Sequence, residues 1–170
     1  MKMTKRNWLI GLMAVMVMVA IHVNETRVHQ QMEKNFDLAC DVLSRQVSVD
    51  ETNKYLKGID LRKPVTLMDI KKGDVFIQYQ VPNGPQGNFY GLQNSTPTEL
   101  GISNRGYDYK TKSVVIKEKR TYMATRNFSA LASYADSVVD DWSTPEIETQ
   151  TEGKKLQIFT ICKPCFERIH

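Results

Sequence analysis

Histidine is scarce in this sequence, and its scarcity excludes several kinds of catalytic site. The 170 residues include three histidines, and His22, His29 and His170 all stand towards the two ends of the chain. A Ser-His-Asp or Cys-His site needs a histidine beside its nucleophile, so ordinary triad hydrolysis is excluded. A zinc site is also disfavoured, because Cys162 and Cys165 have no second pair of ligands. We therefore expect no metal-binding residues.

Acidic residues are absent from the first 23 positions, where Lys2, Lys5 and Arg6 precede an apolar run over residues 8–23. This order predicts a signal anchor or a cleaved signal peptide over residues 1–23. The run is shorter than the roughly 20 residues of a comfortable membrane span, and it lacks a good cleavage position, so both alternatives stay open. In either case we expect the remaining chain to be exported, either anchored in the inner membrane and facing the periplasm or secreted.

The charge of the chain is nearly balanced once its N-terminus is set aside. The three basic residues of that segment account for most of the net charge of +4, and the other 20 basic residues face 19 acidic ones. A nucleic-acid-binding protein normally presents a basic face to the phosphate backbone. We therefore expect no nucleic-acid partner.

The three cysteines are best explained by a structural disulfide. Cys162 and Cys165 have redox-motif spacing, but redox motifs lie between a strand and a helix, and here the chain ends soon afterwards. Export to an oxidising compartment favours a bridge, either within this pair or from one of them to Cys40. A catalytic dithiol is the less favoured alternative.

Two helices are predicted before the strands begin. Apolar residues at three- and four-residue steps predict an amphipathic helix over residues 26–47. Ser48 and Glu51 form a capping-box pattern for a short second helix, and Gly58 is a natural stop. Because residues 24–63 carry no evident chemistry, we predict that they form a helical stalk or scaffold.

From residue 64 onward the pattern changes to strands and turns. Residues 96–101 and 128–134 predict short helices, and residues 102–111 predict a loop. Strands are predicted over residues 75–79, 89–92, 113–117, 121–125 and 156–162. Helices followed by mostly antiparallel strands predict an α+β fold, with residues 64–170 as the functional domain.

Carboxylates, amides and aromatic rings remain as candidates for chemistry. Such groups suit reactions at a sugar carbon, in which nearby negative charge stabilises a cationic, oxocarbenium-like transition state. Glu148, Gln150 and Glu152 alternate, so on an extended segment they would face the same side. A solvated edge or loop is the simpler interpretation of the same pattern.

Several short motifs follow one another in the second half of the chain. They are Gly87-Asn88-Phe89-Tyr90-Gly91, Thr96-Pro97-Thr98-Glu99-Leu100-Gly101-Ile102, Val138-Val139-Asp140-Asp141-Trp142-Ser143, Gln150-Thr151-Glu152-Gly153 and Gln157-Ile158-Phe159. In this order they resemble the toxin domains of bacterial polymorphic toxin systems, in the class labelled polymorphic toxin type 46. They are more distantly similar to tuberculosis necrotizing toxin. The resemblance covers roughly residues 69–168.

This resemblance implies a β-rich fold akin to ADP-ribosyltransferases, with NAD as a substrate and no bound cofactor. The implied reaction cleaves the nicotinamide–ribose bond, either by hydrolysis or by transfer of ADP-ribose, and an immunity protein is an implied partner. Gln157 and Glu152 are the implied catalytic residues. The implied binding residues are Gln78, Tyr79, Phe89, Tyr90, Trp142 and Gln150. For the aromatic residues, core packing is the alternative.

The sequence departs from that family pattern in two places. The pattern often has an arginine near Gln78 and Tyr79, which would clamp a pyrophosphate, and a glycine triplet where this chain has Gly153, Lys154 and Lys155. Lysine enters positive φ less freely than glycine, although either lysine could bind a phosphate. The alternative to an enzyme is therefore a non-catalytic, envelope-anchored binding module of the same fold.

Overall fold

The computed structural model describes residues 5–140, 143–144 and 148–169 of the chain. Two helices come first, α1 (Lys5–Ser44) and α2 (Val49–Leu56). The described strands are β1 (Thr66–Ile70), β2 (Val75–Gln80), β3 (Phe89–Gly91), β4 (Arg105–Asp108), β5 (Ser113–Ile116), β6 (Glu118–Ala124), β7 (Phe128–Tyr134), β8 (Val139–Asp140), β9 (Thr149–Gln150), β10 (Leu156–Phe159) and β11 (Phe166–Arg168). Single 3₁₀ turns lie at Thr98–Leu100 and Lys163–Cys165.

Most of the strands form a single sheet. Seven of them lie in the spatial order β1-β7-β10-β3-β2-β6-β11, and every neighbouring pair is antiparallel. Two short ribbons, β4 with β5 and β8 with β9, stand beside it. Two helices followed by a mostly antiparallel sheet confirm the predicted α+β class.

Buried side chains form two clusters. Tyr90 and Ile158 belong to one cluster, and Leu43 of α1 and Phe159 belong to the other, which also receives residues of α2. Neighbouring residues of a strand point to opposite faces, so Ile158 and Phe159 of β10 contribute to different clusters. Gln157 therefore points to the same face as Phe159, the face on which the helices pack.

Helix α1 continues across the boundary that the sequence predicted near residue 24. No proline or glycine occurs in residues 12–44, and the Thr26 hydroxyl donates to the His22 carbonyl at 2.9 Å, so the polar residues extend the helix. Within the described residues, no helix has the length and hydrophobicity of a membrane-spanning segment. The signal anchor or signal peptide over residues 1–23 stays a prediction.

The capping box predicted at Ser48 and Glu51 is confirmed. Ser48 Oγ accepts a hydrogen bond from the Glu51 backbone N–H at 3.3 Å, and Glu51 Oε2 accepts one from the Ser48 backbone N–H at 3.2 Å.

A second set of contacts holds α1 against the chain that precedes β1. Asn35 Nδ2 donates to the carbonyls of Leu61 and Lys63 at 2.8 and 2.7 Å. These bonds fasten the second half of α1 to the segment that leads into β1.

Two predictions of local structure are wrong. Residues 128–134 form strand β7 and not a helix, because their backbone pairs with β1 on one side and with β10 on the other. Residues 102–111 are not a loop throughout, because β4 pairs with β5. In both places tertiary pairing overrides a weak local preference.

Cys162 and Cys165 form a disulfide, which confirms one of the two pairings left open by the sequence. Cys40 is a free, half-buried thiol. Arg126 donates from Nε to Cys165 Sγ at 3.1 Å and from Nη2 to Cys162 Sγ at 3.0 Å. The bridge encloses Lys163 in a tight turn immediately before β11.

Candidate functional site

A cavity of about 770 Å³ lies beside β2 and β3, bordered by the end of α2, the loop around residues 84–88 and residues 100–102. Its volume is in the range of small-molecule sites. The lining combines aromatic rings and amides with three lysines, Lys54, Lys57 and Lys117. No aspartate or glutamate among the described residues lines it. This composition favours an anionic ligand that carries flat rings.

The structure brings five of the eight predicted site residues to this cavity. Glu152 is not among its lining residues, and Gln150 is exposed in β9, where its Nε2 donates to Ser137 Oγ at 3.2 Å. Trp142 lies outside the described residues. The five residues that line the cavity are Gln78, Tyr79, Phe89, Tyr90 and Gln157.

Gln157 presents one end of its amide to the cavity. The residue is paired with Gly91 of β3 and Ser133 of β7 and is 4% exposed. Its Nε2 donates to the Gly58 carbonyl at 2.9 Å, which fixes the orientation of the amide. No donor among the described residues is bonded to Gln157 Oε1, so this oxygen is available to a ligand.

Tyr79 and Phe89 contribute half-buried rings to the cavity wall. The Tyr79 hydroxyl donates to the Ser95 carbonyl at 2.9 Å, and burial raises the pKa of Tyr79. The Phe89 ring packs against Tyr55 and Phe159, with centroids 5.6 and 5.1 Å apart. Both rings are held in place by these contacts while part of each stays open to a ligand.

Gln78 and Tyr90 are engaged by the protein itself. Gln78 Nε2 donates to the Phe89 carbonyl at 2.7 Å, and its Oε1 accepts from the Gly87 N–H at 3.1 Å. Tyr90 is 1% exposed, and its hydroxyl accepts from Gln86 Nε2 at 2.7 Å. Burial raises the pKa of Tyr90, so the hydroxyl stays protonated. Both side chains therefore shape the loop between β2 and β3, and their contact with a ligand stays a prediction.

Arg120 anchors the same loop and was not singled out in the sequence. It stands directly opposite Gln78 in the pairing of β6 with β2. Its guanidinium donates to the carbonyls of Val81 at 2.9 Å and Gly84 at 3.1 Å, and also to the carbonyl of Pro82. An arginine is thus present beside Gln78, but its two Nη groups donate to the loop carbonyls and to Gln80 Oε1, so it positions the loop.

Lys117 reaches the cavity from the connection between β5 and β6. Its Nζ donates to Ser143 Oγ at 2.7 Å. Burial lowers the pKa of Lys117, an effect that the charge of Asp140 partly opposes. No sequence pattern marked this residue, because nothing in residues 113–117 distinguishes an inward lysine from an exposed one.

The turn before β10 docks on the 3₁₀ turn at Thr98 and not on the cavity. The backbone N–H groups of Glu152 and Gly153 both donate to the Thr98 carbonyl at 2.9 Å. Glu152 is exposed, and its Oε1 accepts from Thr98 Oγ1 at 3.2 Å. Lys155 Nζ lies 3.4 Å from Glu99 Oε1. The turn before β10 thereby supports the 3₁₀ turn at Thr98–Leu100, whose Leu100 lines the cavity.

These features define an α+β protein whose mostly antiparallel sheet borders a basic, aromatic cavity. Comparison with known families gives the particular assignment. Residues 26–166 match the family Bacterial toxin 46 (Ntox46), and the chain belongs to that family. The resemblance to polymorphic toxin type 46 is confirmed.

The chain is also similar to individual members of toxin systems. It is 31% identical over 124 residues to the NAD(P)(+) glycohydrolase toxin Tse6 of Pseudomonas aeruginosa, covering 72% of this chain and 29% of Tse6. It thus spans less than a third of that relative's length. The solved structure of Tse6 in complex with Tsi6 has a TM-score of 0.70 at 27% identity, covering 82% of this chain and 97% of that one. Rhs1-CT in complex with its cognate immunity protein RhsI1 has a TM-score of 0.45 at 18% identity, covering 64% and 80%.

Proposed function

We propose that this chain is an NAD(P)+ glycohydrolase toxin domain that releases nicotinamide from the dinucleotide. Membership of a toxin family and similarity to a relative named as such an enzyme support the proposal. The observation that carries it is the cavity, which combines three lysines, several aromatic rings and the unoccupied amide oxygen of Gln157. Lysines suit the phosphates, and rings suit nicotinamide and adenine.

The proposed reaction adds water to C1′ of the nicotinamide ribose. The bond between C1′ and the ring nitrogen breaks, and nicotinamide leaves with that electron pair. A new C1′–O bond forms to the water oxygen, and one water proton passes to solvent. Because the pyridinium is already cationic, nicotinamide departs neutral and needs no general acid. A cavity without a carboxylate among its described lining residues is compatible with this chemistry.

In this proposal Gln157 is the central catalytic residue. Its Oε1 is the negative end of the amide dipole and would face the positive charge that develops on the ribose. Glu152, whose carboxylate is bonded to Thr98, has a supporting role in the turn before β10. We propose hydrolysis and not transfer, because Tse6 is named as a glycohydrolase.

Two further parts of the proposal concern where the domain acts and what controls it. We propose that it acts after secretion and that an immunity protein binds over the cavity mouth and blocks substrate entry. The solved complex of Tse6 with Tsi6 supports the idea of a partner protein. We expect a partner protein that co-purifies with the chain to inhibit nicotinamide release. We expect this inhibition to be lost when residues at the mouth of the cavity are substituted.

The enzymatic proposal is tested with the purified full chain, NAD+ and NADP+, and chromatography of released nicotinamide. We expect turnover by the wild type and a loss on the order of 100-fold in Gln157→Ala. Gln157→Met preserves side-chain volume and should be equally impaired, whereas Gln93→Ala, at an exposed glutamine, should match the wild type. Circular dichroism checks folding of each variant.

Two outcomes would overturn parts of this assignment. A wild-type chain that binds NAD+ but releases no nicotinamide would favour the non-catalytic binding module. Full activity in folded Gln157→Ala would reject Gln157 as the central residue while leaving the reaction in place.

A further inference from the structure

The lysines of the cavity are held in two different ways. Lys54 and Lys57 are exposed at the end of α2, beside Gly58, whose carbonyl receives the hydrogen bond from Gln157. Lys117 is half-buried and enters the cavity next to Gly106, where a Cβ would lie 3.1 Å from Lys117 Cε. The ammonium group of Lys117 is therefore placed by the fold before any ligand arrives.

Lys117 keeps donors for a ligand. Among the described residues it donates one side-chain hydrogen bond, to Ser143, and forms no ion pair. The carboxylate of Asp140 is occupied by the backbone N–H groups of Ser103 and Ser143 at 2.6 and 2.8 Å. Because an ammonium carries three N–H donors, two have no acceptor among the described residues, and a partly desolvated cation is stabilised by an anion that accepts them.

An exposed aromatic ring also lines the cavity. Tyr109 lines the cavity and is 80% exposed, and its ring meets the edge of Tyr107 with centroids 5.0 Å apart. The Tyr107 backbone N–H donates to the Ser143 carbonyl at 2.8 Å. The tyrosine pair and Lys117 are therefore fastened to one residue, Ser143.

We propose that Lys117 and Tyr109 form the subsite for the ADP portion of the dinucleotide, an inference that rests on the proposed function. Lys117 binds a phosphate oxygen, and adenine stacks on the Tyr109 ring. Tyr109 follows β4 and Lys117 follows β5, whereas Gln157 lies in β10 and is held by the Gly58 carbonyl. The two residues therefore act on binding more than on the bond that breaks.

Binding of ADP to the full chain, measured by calorimetry, tests the subsite without any turnover. We expect Lys117→Met and Tyr109→Ala each to weaken ADP binding about tenfold or more. Tyr109→Phe keeps the ring and should bind ADP like the wild type, and Lys110→Met, at an exposed lysine in the adjoining turn, is the matched charge control. Because Tyr109 is 80% exposed, its variants test the subsite even if Lys117→Met fails to fold.

Steady-state kinetics separates this inference from the proposed function. Lys117→Met and Tyr109→Ala should each raise KM for NAD+ about tenfold with a smaller effect on kcat. With nicotinamide riboside, which lacks phosphate and adenine, each variant should lose less catalytic efficiency than it does with NAD+. A chain that binds ADP through Lys117 yet releases no nicotinamide would uphold the subsite and reject the enzyme. Wild-type ADP affinity and wild-type KM in both variants would overturn the subsite and leave the enzyme standing.

Discussion

Gly91 stands directly opposite Gln157 in the sheet, and its missing side chain makes room for Leu100. A Cβ on Gly91 would lie 2.5 Å from Leu100 Cδ1 and 2.8 Å from Cδ2. Since Leu100 and Gln157 line the same cavity, the size of residue 91 controls how much space remains beside the candidate catalytic amide.

The variant Gly91→Ala should fold but lose catalytic efficiency. The end of the Leu100 side chain can move away from the new methyl group, and we expect its displacement into the cavity to lower kcat/KM for nicotinamide release on the order of tenfold. Adding Leu100→Ala should restore much of the loss, because the contact disappears. A double-mutant cycle measures this coupling; purely additive losses would contradict the explanation.

Gly153 should tolerate no side chain. Its φ is +66°, and a Cβ would lie 2.5 Å from the Asp136 carbonyl carbon and 2.6 Å from the Ser137 nitrogen. We expect Gly153→Ala to lower the free energy of unfolding by more than about 2 kcal/mol, because a clash with backbone adds to the conformational penalty. Gly73→Ala is the matched control, since Gly73 has φ +96° and nothing within 4 Å of the added Cβ. Equal losses in urea unfolding would contradict the role of the clash.

Local chemistry made part of the fold predictable. The Ser48 and Glu51 cap and the stop at Gly101, which has φ +72°, depend on neighbouring residues alone. Strand β7 could not be recognised, because its short run of alanine, serine and leucine is compatible with a helix. Only pairing with β1 and β10 decides its conformation.

The candidate site was only partly predictable from the sequence. A resemblance in motif order placed Gln157, Tyr79 and Phe89, which share one cavity in the structure. Glu152 is close to Gln157 along the chain, but the intervening turn directs it to Thr98. Lys117 could not be found, because its burial depends on Ser143 and other residues distant in sequence.

Lys154 occupies a conformation that favours glycine. Its φ is +75°, and it directly follows Gly153 in the turn before β10. A non-glycine residue in this region is strained by roughly 1–2 kcal/mol, partly offset by the greater unfolded-state freedom of glycine, so Lys154→Gly should raise the free energy of unfolding by about 0.5–1 kcal/mol. Lys112→Gly, at φ +54°, should act in the same direction. Urea unfolding measures both, and a loss of stability in Lys154→Gly would contradict this account.

Lys163, in the turn closed by the disulfide, contacts the loop between β2 and β3. Its Nζ donates to the Gly87 carbonyl and to Asn88 Oδ1, and lies 5.9 Å from the centre of the Tyr90 ring. Asn88 Nδ2 in turn donates to the Tyr55 hydroxyl at 2.8 Å. Burial lowers the pKa of Lys163 from 10.5 to about 8, so this contact should depend on pH.

Stability should rise with pH through the titration of Lys163. Below pH 8 both the folded and the unfolded chain hold the proton, and the folded chain bears the penalty of burying the ammonium. Between pH 8 and 10.5 the folded chain has released the proton while the unfolded chain keeps it, so the free energy of unfolding increases. We expect the increase in urea unfolding to be smaller in Lys163→Met than in the wild type, because Lys117, whose pKa burial also lowers, still contributes in both chains. Both chains should carry Cys40→Ser, because a thiolate at high pH could attack the disulfide, and identical pH dependence in the two would show that Lys163 is not the titrating group.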